Sequence, residues 1–226
     1  MNICVLIPAF NEEKAIGQIV SHVKKQGLDV IVVDDGSADQ TSQKAGNAGA
    51  IVLRNDKNSG KGFSLQRGFD QVGQWGYDAV IIMDGDGQHA VEDLPTIIQE
   101  FERSRPGIVQ GNRMGNPQGM PFVRLMTNHF MSWILSLMCH QRIPDSQCGY
   151  RLIRREVLKE IHLKSANFEI DSEILIQSSR KGYKIISVPV KTIYQNERSK
   201  VNPIFDTIRF FSFIMREIFD RQEASK

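Results

Sequence analysis

The chain is poor in cysteine and contains no long hydrophobic run. Its three cysteines, Cys4, Cys139 and Cys148, have no metal-like spacing, and we interpret them as reduced thiols of a cytosolic protein. No stretch reaches the ~18 uninterrupted apolar residues that predict a membrane-spanning helix. The N-terminus has neither a basic region nor a small-residue cleavage site, so we expect no secretory signal.

Charge of either sign is not in excess. The 226 residues carry a formal net charge of +2, and 24% of them are charged against 41% hydrophobic, as in ordinary globular proteins. This balance is too mild to indicate a nucleic-acid partner, and we expect none. The length suits one sizeable core, and the sequence shows no internal repeat or low-complexity tract. We therefore expect a single domain over residues 1–226.

Short apolar runs alternate with amphipathic helical segments along the first half of the chain. Strands that alternate with helices at short intervals predict βαβ units and a mostly parallel sheet. The predicted fold class is therefore α/β, doubly wound, with helices on both faces of the sheet. The predicted strands are Ile3 to Ile7, which Pro8 ends, Val30 to Val33, Ala50 to Leu53, Ala79 to Met83, Gly107 to Gln110 and Tyr183 to Val190.

The fourth predicted strand runs into Asp84-Gly85-Asp86-Gly87-Gln88-His89. Two carboxylates one residue apart then lie at the strand's carboxyl end, where open α/β sheets bind ligands. Oxygen ligands of this kind suit Mg²⁺ or Mn²⁺, and Gln88 offers a third oxygen. An EF-hand calcium loop is excluded, because its sixth and twelfth positions are His89 and Pro95 instead of Gly and Glu. A solvated turn after a strand is the remaining alternative.

Two common nucleotide-binding motifs are missing. Lys61 lies between two glycines, but a P-loop requires Ser or Thr after the lysine and a glycine at position 55, which is Asn55. No Gly-x-Gly-x-x-Gly segment opens a helix after the first strand. The sequence therefore does not support nucleotide binding of the common Walker or Rossmann kind.

The second half contains two helices rich in large apolar residues. Pro121 to Cys139 is predicted to be one long helix, in which Arg124 and Asn128 share a face. A final amphipathic helix is predicted over residues 203–220, with Asn202 as its cap. Its Phe-rich side suits either core packing or contact with an anionic membrane surface, and both interpretations stay open.

Five segments, taken together in order and spacing, carry a family resemblance. They are Pro8-Ala9-Phe10-Asn11-Glu12, Val33-Asp34-Asp35-Gly36-Ser37, Asp84 to His89, Gly111-Asn112-Arg113 and Asp145 to Arg151. With them the chain resembles glycosyltransferase family 2, most of all its branch of dolichyl-phosphate mannose synthase and bacterial polyprenyl-phosphate glycosyltransferases. The resemblance covers nearly the whole chain and implies the Rossmann-like GT-A fold. It implies a nucleotide-sugar and metal half over residues 1–112 and an acceptor half over residues 113–202.

The resemblance also implies roles for particular residues. The implied contacts with the base and ribose come from Pro8, Phe10, Glu12, Val33 and Asp35. The implied metal ligands are Asp84, Asp86 and Gln88, with Gly85 in the same turn. The implied phosphate contacts come from Arg113, from Arg124 on the long helix, and from Arg198 and Lys200. The residues implied in catalysis are Asp86, Arg113, Arg124 and Asp145.

This sequence departs from the family pattern at several of these positions. Phe10 replaces the more usual Tyr, Asn112 replaces Ser, and Cys148 and Tyr150 replace Ser and Phe. The Gln-x-x-Arg-Trp motif of processive polysaccharide synthases is absent, since neither tryptophan follows an arginine. This absence argues against a polymerising enzyme.

The implied activity is the metal-dependent, inverting transfer of one sugar from a nucleotide-diphosphate donor. GDP-mannose and UDP-hexose donors both remain compatible with these residues. The implied acceptor is a polyprenyl (dolichyl-type) phosphate. The protein would then be cytoplasmic and bind peripherally at the inner face of an anionic membrane, with or without a membrane partner subunit.

Two alternatives remain open. A hydroxyl acceptor, on a glycan or a soluble sugar, would need a general base, and the candidates are Asp145, Glu169, Asp171 and Glu173. The alternative from another class is a nucleotide-binding scaffold protein that lacks catalysis.

Overall fold

The computed structural model describes residues 1–117, 119–193 and 209–217. Its seven strands are β1 (Ile3–Ala9), β2 (Asp29–Asp34), β3 (Ile51–Arg54), β4 (Ala79–Ile82), β5 (Ile108–Asn112), β6 (Arg151–Arg154) and β7 (Ile185–Pro189). Its longer helices are α1 (Ile16–Lys25), α2 (Thr41–Asn47), α3 (Lys61–Gln74), α4 (Leu94–Ser104), α5 (Phe122–Cys139), α6 (Arg155–Glu160) and α7 (Ile170–Arg180). Residues 209–217 are also helical.

All seven strands belong to one sheet with the order β3-β2-β1-β4-β6-β5-β7. Among the described strands, β6 alone runs against the others, and it pairs antiparallel with both β4 and β5. The remaining pairs are parallel. The prediction of a mostly parallel α/β sheet is therefore confirmed. The carboxyl ends of β1, β2, β4 and β5 meet at one edge, and β6 begins there.

Side-chain alternation along the strands explains why helices cover both faces. On β1, Cys4 and Leu6 join a core with residues of α3, α5 and α7. Ile3, Val5 and Ile7 point to the other side and pack with residues of α1 and α4. Since successive side chains of a strand face opposite ways, a strand that is apolar at every position must be buried on both faces. The sheet is thus the middle of three layers.

The prediction that Pro8 ends β1 is wrong, because the strand continues to Ala9. The Leu6 carbonyl accepts a hydrogen bond from the Met83 N–H at 3.1 Å, so the even-numbered peptide groups of β1 face β4. β4 ends at Ile82, opposite Leu6. The nitrogen of Pro8 therefore faces the space beyond the last residue of β4. Because no strand residue lies opposite it there, the missing N–H of proline costs no hydrogen bond between β1 and β4.

The sequence did not predict β6, which it treats as the end of a polar loop. This strand has four residues and is hydrogen-bonded on both sides, so Leu152 and Ile153 point to opposite faces and are both buried. Such a short run carries too little periodicity to identify a strand. β6 starts at the carboxyl edge and runs away from it, so the preceding segment from Asp145 to Tyr150 lies at that edge, where Gly149 contacts Asp84.

Two predictions on the second half fare differently. The long helix is present as α5, one residue shorter than predicted at its start. The proposed cap of the final helix at Asn202, together with Arg198 and Lys200, lies outside the described residues. In the described part of that helix, Phe210, Phe213 and Ile214 are buried in the core, whereas Phe211 and Met215 are exposed. Within the described ranges, no helix has the length and apolar character needed to cross a bilayer.

Candidate active site at the carboxyl edge of the sheet

The turn after β4 packs directly on the end of β1. A Cβ atom on Gly85 would lie 3.3 Å from the Ala9 Cβ and 3.4 Å from the Pro8 carbonyl oxygen. Gly87 has a φ of +78°, which favours glycine, and it lets the chain reverse after Asp86. The Asp86 carboxylate accepts a hydrogen bond from the Gln88 N–H at 2.9 Å. Asp84, Asp86 and Gln88 are all half-buried at this edge.

Lys61, at the start of α3, supplies a counter-charge for Asp84. Its Nζ lies 2.8 Å from Asp84 Oδ1 and 3.0 Å from Asp171 Oδ2, and its side chain is 11% exposed. Burial would lower the pKa of Lys61, but Asp171 and Asp84 outweigh burial and raise it. Burial would likewise raise the pKa of Asp84, yet the Lys61 ammonium holds it well below its usual range.

Asp86 lies in a different electrostatic environment. Burial, followed by the neighbouring Asp84 charge, raises the pKa of Asp86. No ion pair connects Asp86 with a basic side chain among the described residues, whereas Asp84 has the Lys61 ammonium at 2.8 Å. Two carboxylates thus share the turn, and one of them has no cationic side chain beside it. A cation with oxygen ligands is the group that would relieve this repulsion.

His89 stabilises the turn after β4 through a hydrogen bond with its backbone. Its Nδ1 accepts a hydrogen bond from the Asp84 N–H at 3.1 Å, which leaves the proton of the neutral ring on Nε2. The ring stacks on Tyr150 with 4.8 Å between centroids, and it is buried. Burial lowers the pKa of His89, so the ring is neutral at pH 7. With its Nδ1 engaged by the Asp84 N–H, His89 supports the turn that carries Asp84.

The predicted base and ribose residues line the neighbouring strand ends. Phe10 is exposed there, and Pro8 and Glu12 are half-buried. The side chain of Val33, at the end of β2, is fully buried in the core. Asp35 already accepts three hydrogen bonds, from the Asn55 side chain (2.8 Å) and from backbone N–H groups of the loop that ends at Gly60.

Asp34 and Asp35 have different structural roles. Asp34 is fully buried, and its carboxylate accepts the Ser37 N–H at 2.9 Å and pairs with Arg54 at 3.2 Å. Asp34 thus caps the turn that follows β2. Asp35 instead holds the loop that ends in Lys61, and so it positions the lysine that contacts Asp84.

Arg113 and Asp145 form a buried, bidentate ion pair. Asp145 Oδ2 accepts from Arg113 Nε at 2.8 Å and from the Arg113 N–H at 2.9 Å, and Oδ1 accepts from Arg113 Nη2 at 2.9 Å. The Asn128 side chain on α5 adds a fourth hydrogen bond at 2.8 Å. Burial alone would raise the pKa of Asp145, but the hydrogen bonds and charge of Arg113 lower it. A fully engaged, acidic carboxylate is a poor general base, so this geometry argues against the base role considered for Asp145.

Arg124 stands on the first turn of α5. It is half-exposed and makes no hydrogen bond or ion pair with another described residue. The outward side of the same helix bears Phe122, Val123, Met126, Phe130, Trp133 and Leu137, each of them 47–74% exposed. Phe130 also lies 6.0 Å from Phe211, ring to ring, so the described C-terminal helical residues extend this surface. We call these residues of α5 together with Phe211 and Met215 the apolar face.

Sequence reasoning missed Lys61 as a site residue, since it tested this lysine only against the P-loop pattern. It also missed the pairing of Lys61 with Asp171, which is 110 positions away in the chain. The available signal was a lysine between two glycines at the start of a helix on the carboxyl edge. Among residues 1–117, 119–193 and 209–217, no group of three or more His, Cys, Asp or Glu side chains is arranged to hold a metal ion. Asp84, Asp86 and Gln88 fit a metal that keeps open positions for water and phosphate.

Several curated proteins are similar to the chain over most of its length. An uncharacterized protein of Methanocaldococcus jannaschii is 36% identical over 225 residues, which cover 96% of this chain and 93% of that protein. The UDP-N-acetylglucosamine–dolichyl-phosphate N-acetylglucosaminyltransferase of Methanococcus voltae is 31% identical, with 85% of this chain and 86% of that protein covered. The dolichol-phosphate mannosyltransferase of Pyrococcus furiosus is 30% identical, with 84% of this chain and 56% of that protein covered.

Solved structures support the same assignment at the level of the fold. The glucosyl-3-phosphoglycerate synthase of Mycobacterium tuberculosis superposes with a TM-score of 0.71 at 18% identity, covering 87% of this chain and 73% of that one. This likeness bears out the predicted GT-A fold. Residues 4–162 match the family described as Glycosyl transferase family 2. The chain belongs to glycosyltransferase family 2, and it is a glycosyltransferase related to the enzymes that load sugars onto polyprenyl phosphates.

Proposed function

We propose that this protein is a metal-dependent, inverting glycosyltransferase that moves one sugar from a nucleotide-diphosphate donor to a polyprenyl phosphate at the inner face of a membrane. The single observation that carries the acceptor assignment is that three of the four carboxylates considered as general bases for a hydroxyl acceptor are already engaged in hydrogen bonds or ion pairs. Relatives named for transfer to dolichyl, polyprenol or undecaprenyl phosphate support the same acceptor class.

The donor would bind across the carboxyl edge of the sheet. Asp84, Asp86 and Gln88 would hold a divalent ion, Mg²⁺ or Mn²⁺, that offsets the negative charge developing on the leaving nucleoside diphosphate. The M. tuberculosis enzyme of the same fold was crystallised with Mn²⁺ and UDP, and in another crystal with Mg²⁺ and UDP. In our proposal, Pro8, Phe10, Glu12 and Asp35 surround the base and ribose, and Arg113 faces the diphosphate.

Three of the four candidate general bases, Asp145, Asp171 and Glu173, are occupied by other contacts. Asp145 accepts four hydrogen bonds beneath α5. Glu173 is fully buried and accepts the N–H groups of Lys164 and Ser165 at 2.8 and 2.9 Å. Asp171 is paired with Lys61. An acceptor that must lose a proton is poorly served by these groups, whereas a phosphate monoester is already anionic at pH 7.

The apolar face of α5 supplies the surface that a lipid acceptor requires. Contiguous exposed apolar residues on a folded domain mark interaction sites for proteins or membranes. Here Arg124, which has no partner among the described residues, stands at the end of this face nearest the helix N-terminus. We propose that isoprenoid and bilayer contact the apolar face while Arg124 attracts the acceptor phosphate.

The chemical step follows from these positions. A phosphate oxygen of the acceptor attacks the anomeric carbon of the sugar from the side opposite the leaving group. The bond between that carbon and the diphosphate oxygen breaks, and its electron pair remains on the nucleoside diphosphate. The residues of this chain orient the two phosphates and neutralise their charge, and no protein group needs to accept a proton.

The test is a transfer assay with three acceptors and matched nucleotide sugars. Labelled GDP-mannose, UDP-glucose and UDP-N-acetylglucosamine are each offered with polyprenyl phosphate, with the dephosphorylated polyprenol, and with soluble sugars, in Mn²⁺ or in chelator. We expect transfer to polyprenyl phosphate alone, from one donor, and only with metal. Transfer to polyprenol or to a soluble sugar would overturn the acceptor assignment. Thermal stabilisation by a nucleotide without transfer to any acceptor would favour the nucleotide-binding scaffold protein.

A further inference from the structure

Lys61 occupies an unusual position for a lysine near a site built from carboxylates. Its ammonium bridges Asp84, on the turn after β4, and Asp171, on the first turn of α7. It also lies 5.9 Å above the exposed ring of Phe168. The Lys61 ammonium thus occupies Asp84, one of the two carboxylates that we assign to the metal.

The backbone around Lys61 is held firmly, so its side chain is the part able to move. The Gly62 and Phe63 N–H groups both donate to the Ala166 carbonyl, at 2.7 and 3.3 Å. A Cβ on Gly60 or Gly62 would collide with the backbone of residues 165–166. The first turn of α3 is therefore docked against the segment before α7, and Lys61 reaches the site only through its flexible stem.

The two anions beside Lys61 are not equally dependent on it. Asp171 has a second basic neighbour, because Arg151 Nη1 lies 3.4 Å from its Oδ1. That Oδ1 atom is buried and accepts no hydrogen bond. Within the described part of the chain, Asp84 forms no ion pair with another charged basic side chain, and its contact with the neutral His89 is 3.7 Å long. If the lysine leaves, Asp171 retains a guanidinium but Asp84 needs a new cation.

Asp84 and Lys61 are packed closely together against Gly149. A Cβ on Gly149 would lie 2.8 Å from Asp84 Oδ2 and 3.1 Å from Lys61 Nζ, so the glycine allows both groups to approach. A lysine ammonium and a divalent ion on the same carboxylate repel each other strongly in a half-buried site. The two cations therefore compete for Asp84, unless an additional anion arrives to accompany the lysine.

We propose that Lys61 couples metal binding to donor binding: it blocks Asp84 in the free enzyme, and it releases Asp84 when a nucleoside diphosphate offers it a phosphate oxygen. This inference rests on the proposed function. Lys61 is a positioning residue in this scheme, because it controls which cation Asp84 holds. The metal alone then binds weakly, and the metal and the diphosphate bind cooperatively. By thermodynamic reciprocity each must raise the affinity of the other by the same factor.

The experiment measures Mn²⁺ binding by electron paramagnetic resonance, without nucleotide and then with saturating UDP or GDP. The variants are Lys61→Met and the control Lys57→Met, which removes the same charge from an exposed position of the preceding loop. We expect Lys61→Met to bind Mn²⁺ alone at least about tenfold more tightly than wild type. The factor by which UDP or GDP raises the affinity for Mn²⁺ should be smaller in Lys61→Met than in wild type, by a similar amount of about tenfold. Lys57→Met should resemble wild type in both conditions.

Two results would overturn the proposal. One is unchanged or weaker binding of Mn²⁺ alone by Lys61→Met, and the other is an equal change in Lys57→Met, which would indicate a long-range effect of net charge. Circular dichroism checks folding, and if Lys61→Met is unfolded, Lys61→Gln replaces it, because its amide still donates to Asp84. The proposed function fails in a different way, since wild type would then bind no Mn²⁺ even with nucleotide.

Discussion

The carboxyl edge of the sheet and the apolar face of α5 have opposite chemical character. At the edge, nearly every charged group has a protein partner at hydrogen-bond distance, as Asp35, Asp84 and Asp145 do. On the apolar face, Phe122 is 74% exposed and Trp133 is 59% exposed. The edge offers fixed electrostatics for a small, highly charged donor, whereas the face offers area for a large, apolar partner.

One buried network joins these two regions. Asn128 on α5 donates to Asp145, and Ser132, one turn further on, contacts Ser146 at 3.1 Å. The inner side of α5 is therefore tied by hydrogen bonds to the segment that holds Arg113. The outer side of the same helix is apolar and exposed. A change at the edge should affect catalysis, a change in the network should affect stability, and a change on the face should affect membrane binding.

The largest effect is expected from Asp86→Ala, which changes the edge alone. Asp86 accepts one hydrogen bond, from Gln88 N–H, so its loss should change the free energy of unfolding by less than ~1 kcal/mol. Loss of a charge-stabilising group in the active site should lower the rate of transfer by ~10²–10³-fold or more. Turnover assays and thermal unfolding test both parts, with Asp56→Ala on the exposed surface as the control. Undiminished transfer would show that the metal assignment is wrong.

The next effect is expected from Asp145→Asn, which breaks the network. Removing one member of a buried ion pair leaves the Arg113 guanidinium uncompensated at 6% exposure. Such losses cost about 3–5 kcal/mol of stability, far more than Asp86→Ala. Denaturant unfolding gives the difference, and Asp56→Asn is the matched exposed control. A loss below ~1 kcal/mol would mean that Asp145 is not structural, and the general-base interpretation would then regain support.

The sequence predicts the regular part of this design and misses the part that depends on distant contacts. Buried strands such as Ala79 to Met83 are visible as apolar runs, and the polar segments after them mark the carboxyl edge. β6 is invisible because four residues carry no reliable period. The pairing of Lys61 with Asp171 is invisible for a different reason, because it depends on how α7 packs against α3. The state of Asp145 likewise follows from its burial, which no motif specifies.

The smallest effect concerns the apolar face, and it separates the two regions most cleanly. In the double variant Phe122→Ser with Trp133→Ser, both side chains are already largely exposed, so the free energy of unfolding should change by less than ~1 kcal/mol. Nucleotide binding should be unchanged, because neither residue lies at the edge. Each large apolar side chain that no longer enters the bilayer weakens binding by ~1.5 kcal/mol or more, so the two together should weaken it by at least about a hundredfold. Cosedimentation with anionic vesicles measures this, and Trp75→Ser, an exposed tryptophan at the end of α3, is the control. Equal sedimentation of the double variant and wild type would exclude α5 as the membrane-binding surface, while leaving the donor site as described.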